Sequence, residues 1–169
     1  VLHKPDWSPD LMLSQMYVGH LVAFSRGLFE SVGGFRSEFD GSQDYDLFLR
    51  MSAAAERIFH VSKTLYSWRA IASSTASNPD AKPYSQIAGQ KAIQNYLDGL
   101  YGKDECRVDE TDNLFVYDVR YPVAEGTLAS IVIPTKDHAD DLKVAIDSIF
   151  AKTEYPSFEI IVLDNNSSD

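Results

Sequence analysis

Two acidic clusters are the places in this sequence where residue type and spacing suit chemistry. The first is Asp40-Gly41-Ser42-Gln43-Asp44-Tyr45-Asp46, which leads into Leu47, Phe48, Met51, Ala54 and Ala55. Those apolar positions recur at intervals of three and four, so a helix is predicted over 43–55 with Asp44 and Asp46 in its first turn. Unpaired N–H groups and the helix dipole favour a carboxylate at such a place. A carboxylate held there can take the proton of an attacking hydroxyl. With a pKa near ~4 it cannot deprotonate an alcohol in advance, so it must act while the new bond forms, and its position outweighs its basicity. A helix cap is the plainer reading of the same residues. The second cluster pairs Ile133-Pro134-Thr135-Lys136-Asp137 with Leu163-Asp164-Asn165-Asn166-Ser167-Ser168-Asp169. Each stretch follows a continuous apolar run. If those runs are neighbouring parallel strands, both stretches emerge at one carboxyl edge of a sheet, where open α/β sheets bind ligands. Asp164 and Asn165 could there hydrogen-bond a ribose and a base, or serve only as turn formers.

The elements that would position these clusters follow from periodicity. The runs at 130–133 and 159–163 are apolar at every position after the first, which predicts strands buried on both faces of a parallel sheet. Between them Leu142, Ala145, Ile146, Ile149 and Phe150 mark a helix over 137–151, giving a strand–helix–strand crossover. Upstream, aromatic and β-branched runs predict strands at 17–25, 57–61 and 65–69, with 114–121 a further candidate. A short helix is predicted over 26–32, closed by Gly33-Gly34, and a long one over 85–100 from the stripe Ile87, Ala88, Ala92, Ile93, Tyr96, Leu97 and Leu100. Residues 72–83 read as loop and 101–112 as acidic and irregular. The division expected is 1–121, a linker at 122–127, and 128–169.

Composition narrows the function classes. The 169 residues are 44% hydrophobic, enough for a folded core. A formal charge of −10 repels phosphate backbones and anionic lipid surfaces, so nucleic acid is not expected as a partner. No apolar run approaches the roughly 20 residues of a membrane helix. One cysteine, Cys106, rules out an intramolecular disulfide and fits a reducing compartment. These features together suggest a cytoplasmic protein, or one peripheral at the inner face of the cell membrane. The chain starts without Met and stops shortly past an apolar strand, so both ends are read as cut sites in a longer protein. The glycine fingerprint of dinucleotide binders is missing. His20 and His60 read as structural, and His3 and His138 as exposed. Ser73-Ser74-Thr75 could bind phosphate but reads as loop.

The stretch SIVIPTKDHADDLKVAIDSIFAKTEYPSFEIIVLDNNSSD resembles, over essentially its whole length, the opening of family-2 glycosyltransferases. In that family this unit grips the nucleoside of a sugar nucleotide, and the resemblance implies Pro134, Thr135, Asp164 and Asn165 as binding residues. Gly33-Gly34-Phe35 followed by an acidic pair leading a helix is similar to the family's acceptor-side motif. The catalytic aspartate there is the second residue of a Glu-Asp pair. Here the pair is Gln43-Asp44, so Asp44 is the implied base, with Gln43 a departure. Gln43 and Asp46 are then expected on the acceptor or diphosphate side. Arg69, in Trp68-Arg69, is a candidate diphosphate contact or equally a surface cation. A His often stands near this Trp-Arg in similar enzymes, and Ile71 occupies that region here.

The resemblance implies an α/β protein with a partial GT-A mixed sheet and flanking helices: the acceptor-side half of one glycosyltransferase domain, then the nucleotide-side opening of the next. The implied reaction is inverting transfer from a nucleotide-sugar donor to a glycan or lipid-linked glycan acceptor, in cell-surface polysaccharide synthesis. A divalent cation, Mg or Mn, is expected in the intact enzyme, but its usual Asp-x-Asp element is not supplied by this stretch; Asp44-Tyr45-Asp46 fits the acceptor motif better. The isolated chain is expected to have no turnover. The terminal unit is further expected to dock beside the strands of 17–69, within one chain or as a domain-swapped dimer. Two rivals stand: a nucleotidyltransferase, which would need a Gly-rich basic loop where Pro134-Thr135-Lys136-Asp137-His138 stands, and a non-catalytic scaffold of polysaccharide synthesis, to which Ile71 gives weight.

Overall fold

The computed structural model describes residues 3–19, 21–67 and 83–168. Two compact units follow one another along the chain, Val1–Pro122 and Val123–Asp169.

The first unit is mainly helical. Helix α1 (Pro9–Ser14) has a proline in its first turn, where no N–H is missed, and the Ser8 hydroxyl accepts the Leu11 N–H at 3.3 Å. Its Met12 and Leu13 are buried. Helix α2 (Arg26–Ser31) is capped in the same way by Ser25. It ends at Gly33 and Gly34, whose φ values of +81° and +69° are the left-handed closure that glycine allows. After a short 3₁₀ turn (Ser37–Phe39), α3 (Gln43–Ala54) and α4 (Pro83–Tyr101) supply the main apolar faces. Tyr45 and Leu49 of α3 pack with Ile93 and Leu97 of α4, and with Met12, Leu13, Cys106, Val108 and Tyr117, into one core. Full burial of each large side chain contributes about 1.5–3 kcal/mol.

A two-stranded antiparallel ribbon, β1 (Arg107–Glu110) and β2 (Tyr117–Arg120), lies on α4 with Val108 opposite Val119. Strand β1 falls in the stretch expected to be irregular. Its outer edge is paired not by a strand but by glutamines spaced four apart on α4. Gln94 donates to the Cys106 carbonyl (2.9 Å) and accepts the Val108 N–H (3.2 Å), Gln90 donates to the Val108 carbonyl (2.8 Å), and Gln86 reaches Glu110 (3.1 Å). The helix comes this close because residue 89 is glycine: a Cβ there would collide with the Tyr117 hydroxyl, which donates to the Gln86 carbonyl at 2.9 Å.

The expected strands at 17–25, 57–61 and 65–69 are not strands among the described residues. They run as irregular chain with no ladder partner, and Leu21, Phe59, Val61 and Leu65 are exposed. Sequence pattern signals β propensity, but a strand exists only where another backbone accepts its hydrogen bonds. Trp68, Arg69, Ile71, Ser73-Ser74-Thr75 and His20 lie outside the described residues.

The second unit is the expected strand–helix–strand. Strand β3 (Ala129–Thr135) pairs in parallel with β4 (Phe158–Asp164), joined by α5 (Ala139–Lys152). Two details differ from expectation. The helix starts at Ala139 because Asp137 and His138 both take left-handed conformations, φ +56° and +62°. The strands are also not buried on both faces: Val132 is 52% exposed and Leu163 54%, since within this unit α5 is the one helix available to cover them.

Candidate functional site

The first acidic cluster opens α3, and its two aspartates face different ways. Residues two apart on a helix are rotated by roughly 200°. Asp46 points inward and is 1% exposed, while Asp44 is half-buried and Gln43 exposed. The Asp46 carboxylate receives Arg50 Nη2 at 2.6 Å and the Nε groups of Arg36 and Arg50 at 3.1 Å, with Arg36 Nη2 on its other oxygen. Burial by itself would raise the Asp46 pKa. Hydrogen bonds from Arg36 and then Arg50, with their charges, outweigh that and hold it below the ordinary carboxylate value. Asp46 is therefore held as a buried carboxylate in a double ion pair with Arg36 and Arg50. Asp44 carries no such burden: its Oδ1 accepts the Tyr45 N–H at 2.9 Å and the side chain belongs to no ion pair among the described residues.

The approach to Asp44 is shaped by its neighbours. Gly41 (φ +100°) donates its N–H to Gln43 Oε1 at 2.9 Å, and a Cβ there would lie 2.6 Å from the Tyr84 ring. Ser42 donates to the Ser85 carbonyl at 2.6 Å instead of capping α3. The loop before α3 is thus drawn onto the start of α4, and the first N–H groups of α3 are not occupied by its N-cap side chain.

The second cluster forms at the carboxyl edge of β3 and β4. Thr135 and Asp164 are register partners, so the two segments leave the sheet side by side. The Asn165 N–H donates to the Thr135 carbonyl at 2.8 Å. Asp137 donates its N–H to Ser167 Oγ at 2.7 Å, and its carboxylate accepts the Ser168 N–H at 2.8 Å. The Asp164 carboxylate accepts both the N–H and the hydroxyl of Ser167. Three non-glycine residues here, Asp137, His138 and Asn166, hold left-handed backbone. Pro134, Thr135, Asp164 and Asn165 are brought together, with Asp164 and Asn165 exposed at the edge. Asp137, Ser167 and Ser168, which tie the loops, stood in the cluster read from sequence but not among the binding residues implied there. Arg36 and Arg50 were not singled out from sequence, although the Asp46–Arg50 spacing of four was a readable signal.

Among the described residues no three His, Cys, Asp or Glu side chains gather to hold a metal ion. The Asp46 carboxylate is taken up by Arg36 and Arg50, so Asp44-Tyr45-Asp46 offers no free carboxylate pair for a divalent cation. His60 pairs with Asp6 at 2.9 Å, and His138 stands exposed beside Asp141. No helix among the described residues is long and apolar enough to cross a membrane.

Residues 130–169, nearly all of the β3–α5–β4 crossover and its edge, match the model of glycosyl transferase family 2. This stretch of the chain is thus similar to glycosyl transferase family 2. Its helices and small sheets form a mixed α/β architecture consistent with a partial GT-A fold. The chain is 41% identical over 166 residues to the uncharacterized protein y4gI of Sinorhizobium fredii (strain NBRC 101917 / NGR234), covering 97% of this chain and 18% of that protein. It is 38% identical over 165 residues to the O-antigen biosynthesis protein RfbC of Myxococcus xanthus, covering 98% of this chain and 13% of that protein. Each alignment therefore runs through both the helical unit and the family-2 segment, and the chain spans less than a fifth of either relative's length. No solved structure matches.

Proposed function

We propose that this chain is part of a glycosyltransferase that moves sugars from nucleotide-sugar donors onto a growing cell-surface polysaccharide. In this reading 1–121 is the acceptor-side half of one catalytic domain, 122–127 a linker, and 128–169 the nucleotide-side opening of the next. What supports it is that one O-antigen biosynthesis protein aligns with both units in this order, 38% identical across 98% of the chain, and that the family-2 match falls on the second.

The chemistry assigned to the residues is inverting transfer. An acceptor hydroxyl on a glycan or lipid-linked glycan attacks the anomeric carbon from the face opposite the nucleoside diphosphate. Asp44 takes the hydroxyl proton as the new bond forms, and the diphosphate leaves. Asp44 suits the role because it is accessible, free of ion pairs among the described residues, and fixed at the helix start. Pro134, Thr135, Asp164 and Asn165 would line the nucleoside side in the second domain. The divalent cation expected of such an enzyme finds no ligand set among the described residues, and no step here runs through one. Arg69 remains a proposed diphosphate contact. The work would take place in the cytoplasm or at the inner face of the membrane.

In the purified full-length protein, Asp44→Asn is expected to lower kcat for sugar transfer by roughly 10²–10⁴-fold, the range of a lost general base. The isolated chain, assayed beside it with a labelled sugar nucleotide, is expected to show no transfer. The scaffold reading, favoured by Ile71, predicts instead that Asp44→Asn leaves polymer synthesis intact.

A further inference from the structure

Arg50 sits one turn along α3 from Asp46 and does more than neutralise it. Beyond its two bonds to that carboxylate, it donates Nη1 to the Val32 carbonyl and Nη2 to the Gly34 carbonyl at 2.8 Å. These are the carbonyls on either side of Gly33, in the turn that ends α2. Arg36 adds a second arm: it joins Asp46 to Asn95 of α4 at 2.9 Å and lies 4.5 Å from the centre of the Phe39 ring. The first turn of α3 is therefore tied to three other parts of the unit: the Gly33-Gly34 turn, the 3₁₀ segment and α4. All three ties converge on Asp46, two residues from Asp44.

We infer that the Arg36–Asp46–Arg50 latch is a positioning device for the proposed reaction, fixing the rotation of α3 so that Asp44 faces the acceptor. This rests on the reading of Asp44 as the base. The geometry leaves little freedom: with Asp46 held inward by two guanidiniums, a rigid helix must turn Asp44 outward. Asp46 and Arg50 are thus positioning residues that touch neither substrate. They also give physical meaning to the glycine pair upstream, since the left-handed turn at Gly33 and Gly34 presents the two carbonyls that Arg50 grips.

The test uses the full-length protein and measures kcat, acceptor KM, donor KM and melting temperature for Arg50→Met, Arg50→Lys and Asp44→Asn. The expected result for Arg50→Met, assayed well below its melting temperature, is a fall in kcat of at least about ten-fold with both KM values within about two-fold. Arg50→Lys, which keeps a charge but not the fork, should recover part of that loss. Should Arg50→Met not fold, Arg36→Met carries the same test, because it removes one arm from a side chain that is 30% exposed. An Arg50→Met enzyme with a lowered melting temperature and unchanged kcat overturns the latch while Asp44→Asn remains inactive. Undiminished transfer by Asp44→Asn overturns the base assignment itself, and the latch with it.

Discussion

The two units handle similar stretches of apolar sequence in opposite ways. The first unit hides its helix stripes: Met12, Leu47, Ile93 and Leu97 are fully enclosed. The second has no buried residue between 123 and 168, although its strands carry the continuous apolar runs at 131–133 and 160–163. The difference lies in the number of layers. Helices α3 and α4 and the β1–β2 ribbon enclose one another, whereas a two-stranded sheet with one helix leaves a face and its outer strands uncovered. Hydrophobicity in a sequence therefore reports what a segment is able to bury. Whether it is buried depends on how many partners surround it.

The sharpest way to break this contrast is truncation at one position in each unit. Leu97→Ala is expected to cost about 2–5 kcal/mol in urea unfolding of the chain, while Val132→Ala, already half exposed, is expected to cost under ~1 kcal/mol. Equal costs would mean that the second unit is as well enclosed as the first. A smaller effect separates the units by pH. The folded-state pKa of Asp46 is depressed, so its contribution to stability is complete above the unfolded carboxylate value near ~4 and is lost as pH falls through the lower folded value. The unfolding free energy of the first unit should fall with acidification below about pH 4 more steeply in the parent than in Asp46→Asn. Parallel curves would show that the ion pair contributes nothing. The smallest effect is expected at the β3–β4 edge. Ser167→Ala removes hydrogen bonds to Asp164 and Asp137, and should speed amide exchange at Asp137 and Asn165 while costing about 0.5–1.5 kcal/mol. It should leave exchange in the first unit unchanged.

Much of this was legible from residues. The three-and-four spacing of α3 and α4 and the apolar runs within β3 and β4 located those elements to within a few residues, because local pattern determined them. Helix α1 was missed, since six residues are too few for a period to show and its evident signals are Ser8 and Pro9. Strand β1 was missed because Arg107, Asp109 and Glu110 carry no apolar alternation, and glutamines from a distant helix make it a strand. The strands expected near 17–25 and 57–61 failed for the converse reason: the pattern was present and the partner was not. At the site, the acidic types were visible but their directions were not. That Asp46 turns inward depends on Arg36 and on carbonyls at Val32 and Gly34, which no spacing within the motif could reveal.

The glutamine stitching on α4 has a consequence of its own. A bare strand edge is a template on which a stray polypeptide can add another rung. Along β1 that template is already satisfied by side-chain amides, and next to β2 the Gln15–Val116 bridge occupies chain that would otherwise lie open. Strand β1 thus meets its neighbours with outer bonds at Cys106 and Val108 already spent, by groups that carry no charge. Acidification, which loosens the aspartate–arginine latch, leaves this safeguard against clumping in place.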